Sequence, residues 1–256
     1  MNPSYQRLLI NLYRRVRRTG VLESRLGRAA FEVTYDLYKS WWEAPEVNAL
    51  LQWVPHGGTV IDVGANIGFF TTRFAQKVGP AGRVLAIEPE DLNLRRLRKR
   101  LDHFVSNGIV EILPAVVSDR EGMAKLQINP DHPGDHKLAA SGVDVEAHTL
   151  DGVIERTGWG RVDFVKIDVQ GAEALVLAGA REILARYRPA LWVEVSEFEL
   201  QQMGSDAISM CGALVQARYG IFRLRRDATL HQITLGEVPA LCSNGNYANF
   251  LFLARA

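Results

Sequence analysis

The chain has 256 residues, 47% hydrophobic and 23% charged, which excludes a disordered polymer, a collagen-like fibre and a disulfide-stapled miniprotein. Thirty Lys and Arg nearly balance 29 Asp and Glu, so a net charge of +1 gives no global pull toward nucleic acid or an anionic membrane. Cys211 and Cys242 stand in no metal-ligand or redox spacing, which predicts a reduced, cytoplasmic setting for one domain with additions.

In residues 4–18, Tyr5, Leu8, Leu9, Leu12, Tyr13 and Val16 recur at helical spacing with arginines on the other face. The first 28 residues hold seven arginines against Glu23 alone, which leaves the remainder at −5. An amphipathic helix is expected there, packed on the body or on a neighbouring subunit of a homo-oligomer; attraction to an anionic membrane or substrate is the other reading. The apolar run at 8–12 is short and runs into arginines, so no secretory leader is expected. No stretch approaches the roughly 18–20 apolar residues of a membrane span.

Helices are expected at 29–44 and 46–54, with Trp41, Trp42 and Trp53 as core or lid aromatics. Residues 1–54 thus read as a helical extension of a domain covering 55–256. Within that domain, apolar β-branched runs at 59–63, 83–88, 110–117, 162–168 and 190–195 alternate with helical patterns at 69–78, 91–107, 172–186 and 197–203. That alternation predicts an α/β fold with a mostly parallel sheet. An insertion at about 121–150 interrupts it, with antiparallel-looking runs at 124–129 and 143–150 around a polar Gly/Pro loop holding His132, Asp135 and His136. Two further strands are expected at 221–225 and 247–254, an antiparallel pair on the sheet edge.

The strongest chemical signal is Val60-Ile61-Asp62-Val63-Gly64-Ala65-Asn66-Ile67-Gly68, a strand and tight turn leading into a helix. Gly64 and Gly68 are expected to let backbone approach a ligand, and Asp62 puts a carboxylate at the strand tip. The next strand ends at Glu88, where an acid can accept both hydroxyls of a ribose. Asn66 occupies the middle glycine's place in G-x-G-x-x-G, which disfavours a pyrophosphate and with it a nicotinamide oxidoreductase. An acid beside the turn welcomes an ammonium or sulfonium. S-adenosylmethionine combines adenosine, an amino acid and a sulfonium, and fits all three features.

These residues, with Ala86-Ile87-Glu88-Pro89, Ala115-Val116-Val117-Ser118-Asp119, His148-Thr149-Leu150-Asp151, Val165-Lys166-Ile167-Asp168-Val169-Gln170-Gly171-Ala172-Glu173 and Arg188-Pro189-Ala190-Leu191-Trp192-Val193-Glu194, resemble the FkbM family of S-adenosylmethionine-dependent methyltransferases. The resemblance covers about residues 55–200. Gln170 departs from it, standing where the family often has Glu. It implies a class I methyltransferase, Rossmann-like, with a seven-stranded sheet and methylation of a hydroxyl on a sugar, glycan or natural product. It further implies that Asp62, Gly64 and Asn66 line the methionine end, that Glu88 holds the ribose, and that Ala115 and Val116 flank the adenine.

A hydroxyl acceptor needs a base or a metal to become a good nucleophile. Asp168 and Glu194 end neighbouring predicted strands on the ligand side, with Asp168 the first choice as catalytic group; Glu173, His136, His132 and Asp135 are further candidates. Capping the following helix is the alternative role for Asp168, and Glu173 suits that helix's dipole without any function. Mg2+ or another divalent metal on Asp168, Glu194 and His136 is an additional reading. Lys166 is expected to face a helix or pair with an acid, and His56, His103, His148 and His231 to be structural. A nucleic-acid methyltransferase is disfavoured because no basic stripe with interleaved aromatics follows the N-terminal segment. A non-catalytic module that keeps the fold is the remaining alternative.

Overall fold

The computed structural model describes residues 44–129, 136–225, 227–243 and 245–255. The expected helix at 4–18 and residues 29–43 of that expected at 29–44, with Trp41, Trp42, His132 and Asp135, lie outside the described residues. Helix α1 (Ala44–Leu50) and a 3-10 turn (Leu51–Trp53) lead into β1 (Thr59–Val63), α2 (Phe69–Val78), β2 (Arg83–Ile87), α3 (Asp91–Ser106) and β3 (Val110–Leu113). Four short strands follow, β4 (Val116–Val117), β5 (Gly122–Gln127), β6 (Lys137–Leu138) and β7 (Val143–His148), and then α4 (Leu150–Thr157). Alternation resumes with β8 (Phe164–Ile167), α5 (Glu173–Ala178), α6 (Arg181–Arg186), β9 (Ala190–Val195), α7 (Glu197–Gln202) and α8 (Ala207–Gln216). The remaining elements are β10 (Tyr219–Leu224), β11 (Leu230–Ile233), α9 (Val238–Cys242) and β12 (Ala248–Ala254).

The main sheet has the order β11-β10-β12-β9-β8-β1-β2-β3. β3, β2, β1, β8 and β9 run parallel, and β12 pairs antiparallel with both β9 and β10. All seven expected strands are present. The eighth, β11, folds back antiparallel on β10 at the edge; its Leu-His-Gln-Ile gives too little alternation to be seen in the sequence.

Successive residues of β1 feed opposite faces. Val60 packs with Phe74, Val84, Leu97 and Phe164 under α1, α2 and α3. Ile61 packs with Leu85, Val165, Val176 and Met210 under the helices of the other face. A sheet covered on both sides explains why β1 and β8 are buried at every position. Each fully buried aliphatic side chain contributes about 1.5–3 kcal/mol. Trp53 is partly buried against the α1–α3 face, which makes it a core aromatic.

Three expected elements differ for identifiable reasons. The expected strand 110–117 breaks at Pro114, which has no N–H to give the ladder; the Ala115 N–H turns back onto the Leu113 carbonyl at 3.1 Å. Beyond the turn, Val116 and Val117 leave the main sheet and pair with Ala147 and His148. The expected helix 172–186 divides into α5 and α6 at Gly179, where a Cβ would collide with the Ser118 carbonyl. At 150–157, where no helix is expected, Thr149 caps α4 by accepting from the Gly152 N–H at 3.1 Å.

β4, β7, β5 and β6 form a second, four-stranded sheet. In it β5 and β7 run antiparallel, with Gly122 opposite Ala147 and Leu126 opposite Val143. In the main sheet, β1 sits between β2 on one side and β8 on the other. The chain therefore winds away from β1 in both directions, and a crevice opens beyond the carboxyl ends of β1 and β8.

Candidate active site

A cleft enclosing about 860 Å³, its open mouth included, lies at that point. Its walls come from the β1 turn (Gly64 to Ile67), Phe70, the end of β2 (Glu88, Pro89), Asn93, residues 115–117 and the loop after β8. Leu126, His136 and Leu138 contribute from the second sheet.

The turn after β1 uses three left-handed residues, Gly64 (φ 78°), Asn66 (φ 52°) and Gly68 (φ 85°). Gly64 lines the cleft, yet its lack of a Cβ is explained by the fold, because a Cβ there would strike the Asp168 carbonyl. Gly68 does not line the cleft; its Cβ would lie 2.7 Å from Leu97 Cδ1, so this glycine seats α2 against α3. Both glycines bring backbone close to protein, and Gly64 in addition borders the cleft.

Glu88 is 4% exposed and faces the cleft. Its Oε2 accepts from the Asn66 N–H at 2.9 Å, and its Oε1 accepts from the Glu90 N–H at 3.0 Å and Asn93 Nδ2 at 3.4 Å. Burial pushes its carboxyl up to about 7, and these hydrogen bonds only partly offset the rise. Asn93 is a site residue that the sequence does not signal: its N–H caps α3 through Glu90 Oε2 at 2.7 Å while its side chain reaches Glu88. Ala115 and Val116 form an apolar part of the wall.

Asp62 is fully buried and lies below the cleft instead of lining it. Its Oδ2 accepts from Thr71 Oγ1 at 2.7 Å, and its Oδ1 is 3.3 Å from Lys166 Nζ. Lys166, 3% exposed, also donates to the Gly64 carbonyl at 3.2 Å and lies 3.3 Å from Asp168 Oδ2. The lysine expected to pair with an acid therefore links two acids and reaches the cleft wall itself.

Asp168 lines the cleft, and its side chain is 31% exposed. Its Oδ1 accepts from Gln170 Nε2 at 3.3 Å, and the same nitrogen donates to Glu194 Oε1 at 3.2 Å. Glu194 does not line the cleft. Burial raises its carboxyl well above the usual range, with further upward pressure from Asp168, Glu173 and Glu199, and Lys166 pulling the other way. Glu173 also stands outside the lining; its carboxylate accepts from the Val169 N–H at 3.2 Å and the Gly171 N–H at 3.1 Å, bracing the loop. Burial raises Glu173 to about 7.

His136 lines the cleft, and its Nδ1 accepts from the Asn129 N–H at 3.1 Å. The neighbouring Lys137 pairs with Glu199 of α7 at 3.1 Å, joining the second sheet to the body. Asp168 and Glu194 are thus brought together, but on a neutral amide donor. Among the described residues no three His, Cys, Asp or Glu side chains gather as metal ligands. Those residues do not fit a divalent ion, and the metal reading of Asp168, Glu194 and His136 goes no further.

The pattern of the FkbM methyltransferase domain matches residues 62–221. The chain belongs to the FkbM methyltransferase family. The FkbM chain is 27% identical over 165 residues to the 2-O-methyltransferase NoeI of Sinorhizobium fredii, a match covering 56% of this chain and 65% of NoeI. It is 28% identical over 163 residues to the methyltransferase sdnD of Sordaria araneosa, covering 50% of this chain and 62% of sdnD. The match spans less than two thirds of either relative. A crystal structure from Clostridium thermocellum, provisionally named an rRNA methylase, aligns with a TM-score of 0.50 at 14% identity, over 82% of this chain and 94% of that one. At that identity the likeness concerns the fold alone, which is the class I methyltransferase fold. No helix of the described residues is long and apolar enough to cross a membrane.

Proposed function

We propose that this chain transfers the methyl group of S-adenosylmethionine to a hydroxyl of a sugar, glycan or natural-product small molecule. The observation that carries the reading is a pair of carboxylates facing one cleft from two sides, buried Glu88 on β2 and accessible Asp168 after β8. The printed activity of NoeI, a 2-O-methyltransferase, supports oxygen as the acceptor atom. Residues 55–256 serve as the methyltransferase unit in this reading, with an insertion at about 121–150 whose Leu126, His136 and Leu138 border the cleft. Both described cysteines are free and buried, in keeping with a cytoplasmic setting.

The lining suits the cofactor. Glu88 offers a carboxylate whose Oε2 keeps an accepting site for a ribose hydroxyl, Ala115 and Val116 offer an apolar surface for a base, and Gly64 with Asn66 borders the amino-acid end. When bound, S-adenosylmethionine would supply an electrophilic methyl on a sulfonium, whose S–C bond breaks as the neutral thioether leaves with the electron pair. Asp168 accepts the proton that the acceptor hydroxyl loses as its oxygen forms the new bond to carbon. Lys166 holds Asp168 Oδ2 and leaves that carboxylate fixed before the acceptor arrives. His136 serves as an orienting donor: with Nδ1 accepting from Asn129, the neutral ring carries its proton on Nε2. Leu126 and Leu138 exclude water from the reacting atoms.

The test is transfer of label from methyl-labelled S-adenosylmethionine to a panel of monosaccharides, oligosaccharides and aliphatic alcohols, with the product linkage read by NMR. An O–CH3 resonance on a hydroxyl carbon is expected. Label found only on nitrogen, carbon or carboxylate acceptors would overturn the reading.

A further inference from the structure

We propose that Gln170 is the positioning residue of the acceptor side, a neutral tether that holds Asp168 and Glu194 on one side-chain amide and keeps the Asp168 carboxylate aimed into the cleft. This rests on the reading of Asp168 as the group that takes the acceptor's proton.

The backbone leaves position 170 little freedom. Gln170 is left-handed at φ 53°, and the amides on either side, Val169 and Gly171, are both held by Glu173. Gly171 has φ 103°, and a Cβ on it would come within 2.6 Å of the Glu199 carbonyl, so the loop lies tight against α7. A loop held at both flanks presents the Gln170 side chain between the ends of β8 and β9. There Nε2 reaches Asp168 Oδ1 at 3.3 Å and Glu194 Oε1 at 3.2 Å. Asp168 Oδ1 accepts from this nitrogen on one side and Glu194 Oε1 on the other.

The surroundings explain why a neutral donor belongs here. Asp168 is faced by Lys166 of β8, by Asp62 of β1 across that lysine, by Glu173 of α5 and by Glu194 of β9. Glu199 of α7 adds its charge to Glu194 and is itself paired with Lys137 of β6, and His136 borders the same cleft. An amide nitrogen carries two hydrogens, one for each carboxylate, and adds no negative charge. A carboxylate at 170 would remove both donors and add one more acid.

The proposal is tested on the ligand-free full chain carrying 13Cγ-labelled aspartate, with the Asp168 carboxyl resonance identified by its loss in Asp168→Asn. Gln170→Met keeps the side-chain length and removes the donors; the Asp168 midpoint is expected to rise by roughly one pH unit, about tenfold in its protonation equilibrium. Gln170→Glu is expected to raise it further. A midpoint unmoved in a folded Gln170→Met protein overturns the proposal, since a purely structural role lowers the melting temperature without moving that titration. Should neither variant fold, Gln170→Asn keeps an amide and a residue that tolerates the left-handed backbone but shortens its reach; a rise in the Asp168 midpoint supports the tether, and no shift contradicts it. No cofactor or acceptor enters this titration, so its failure is distinct from a failure of methyl transfer.

Discussion

The two sides of the cleft are built differently. The side with Asn66, Glu88, Asn93 and Ala115 comes from one run of strand, turn, helix and strand within residues 62–117, held mostly by backbone groups. The side with Asp168, Gln170 and Glu194 is assembled from the ends of β8 and β9, a loop seated on α7, and strands of the second sheet more than 20 residues upstream. A contiguous unit can be kept while acceptors change, because Asn66, Glu88 and Asn93 bond to one another without the second sheet, which borders this side through Val116 and Val117 of β4. The assembled side depends on side-chain contacts that single substitutions can rewrite, and specificity is expected to reside there.

Substitutions on the two sides should therefore fail in different ways. Asp168→Asn has the largest expected effect on turnover, about 10²–10⁴-fold in kcat, with S-adenosylhomocysteine affinity within a few-fold of the parent; comparable losses in both measurements would merge the two sides. Lys166→Met follows, since it strands Asp62 in the interior without its cation; a loss of about 3–5 kcal/mol is expected by denaturant unfolding, and an unchanged midpoint would remove Lys166 as the link between the sides.

Glu173→Gln tests the buried acids through pH. Glu173 is raised in the fold from 4.5 to about 7, so the folded state holds a proton that the unfolded chain releases between those values. Its contribution to stability is fully present below about pH 4.5 and is lost as pH rises through about 7. Glu88 acts with the same sign. The parent protein should melt at a lower temperature at pH 8 than at pH 5, and Glu173→Gln should flatten that slope; an equal slope in both proteins contradicts the assignment. Lys137→Ala, which opens a partly exposed ion pair, has the smallest expected effect, about 1 kcal/mol or less and a melting shift of roughly 2–4 °C.

The same contrast governs what the sequence reveals. The parallel strands, the turn from Gly64 to Gly68 and Glu88 follow from local rules of patterning and glycine placement, and they stand where expected. Asp62 is also legible as a strand-tip acid, but its burial beneath Lys166 is a tertiary fact. β11 and α8 carry weak local signals: α8 has Gly212 in its interior, and only the Asp206 cap, accepting from the Ser209 N–H at 2.7 Å, marks its start. On the acceptor side, the meeting of Gln170 with Glu194 spans 24 positions and depends on how β8 and β9 align. The tautomer of His136 depends on Asn129. No periodicity or motif encodes such pairings, because they arise only once the sheet has closed.

The central claim is that this cleft binds S-adenosylmethionine through Glu88. Calorimetric titration of S-adenosylhomocysteine at pH 8, where Glu88 is ionised, into the parent protein and Glu88→Ala tests it most directly. The account predicts micromolar binding to the parent, weakened at least about tenfold in the variant as a charged hydrogen bond to the ribose is lost. Equal affinity in both proteins, or no heat of binding in the parent, would contradict it.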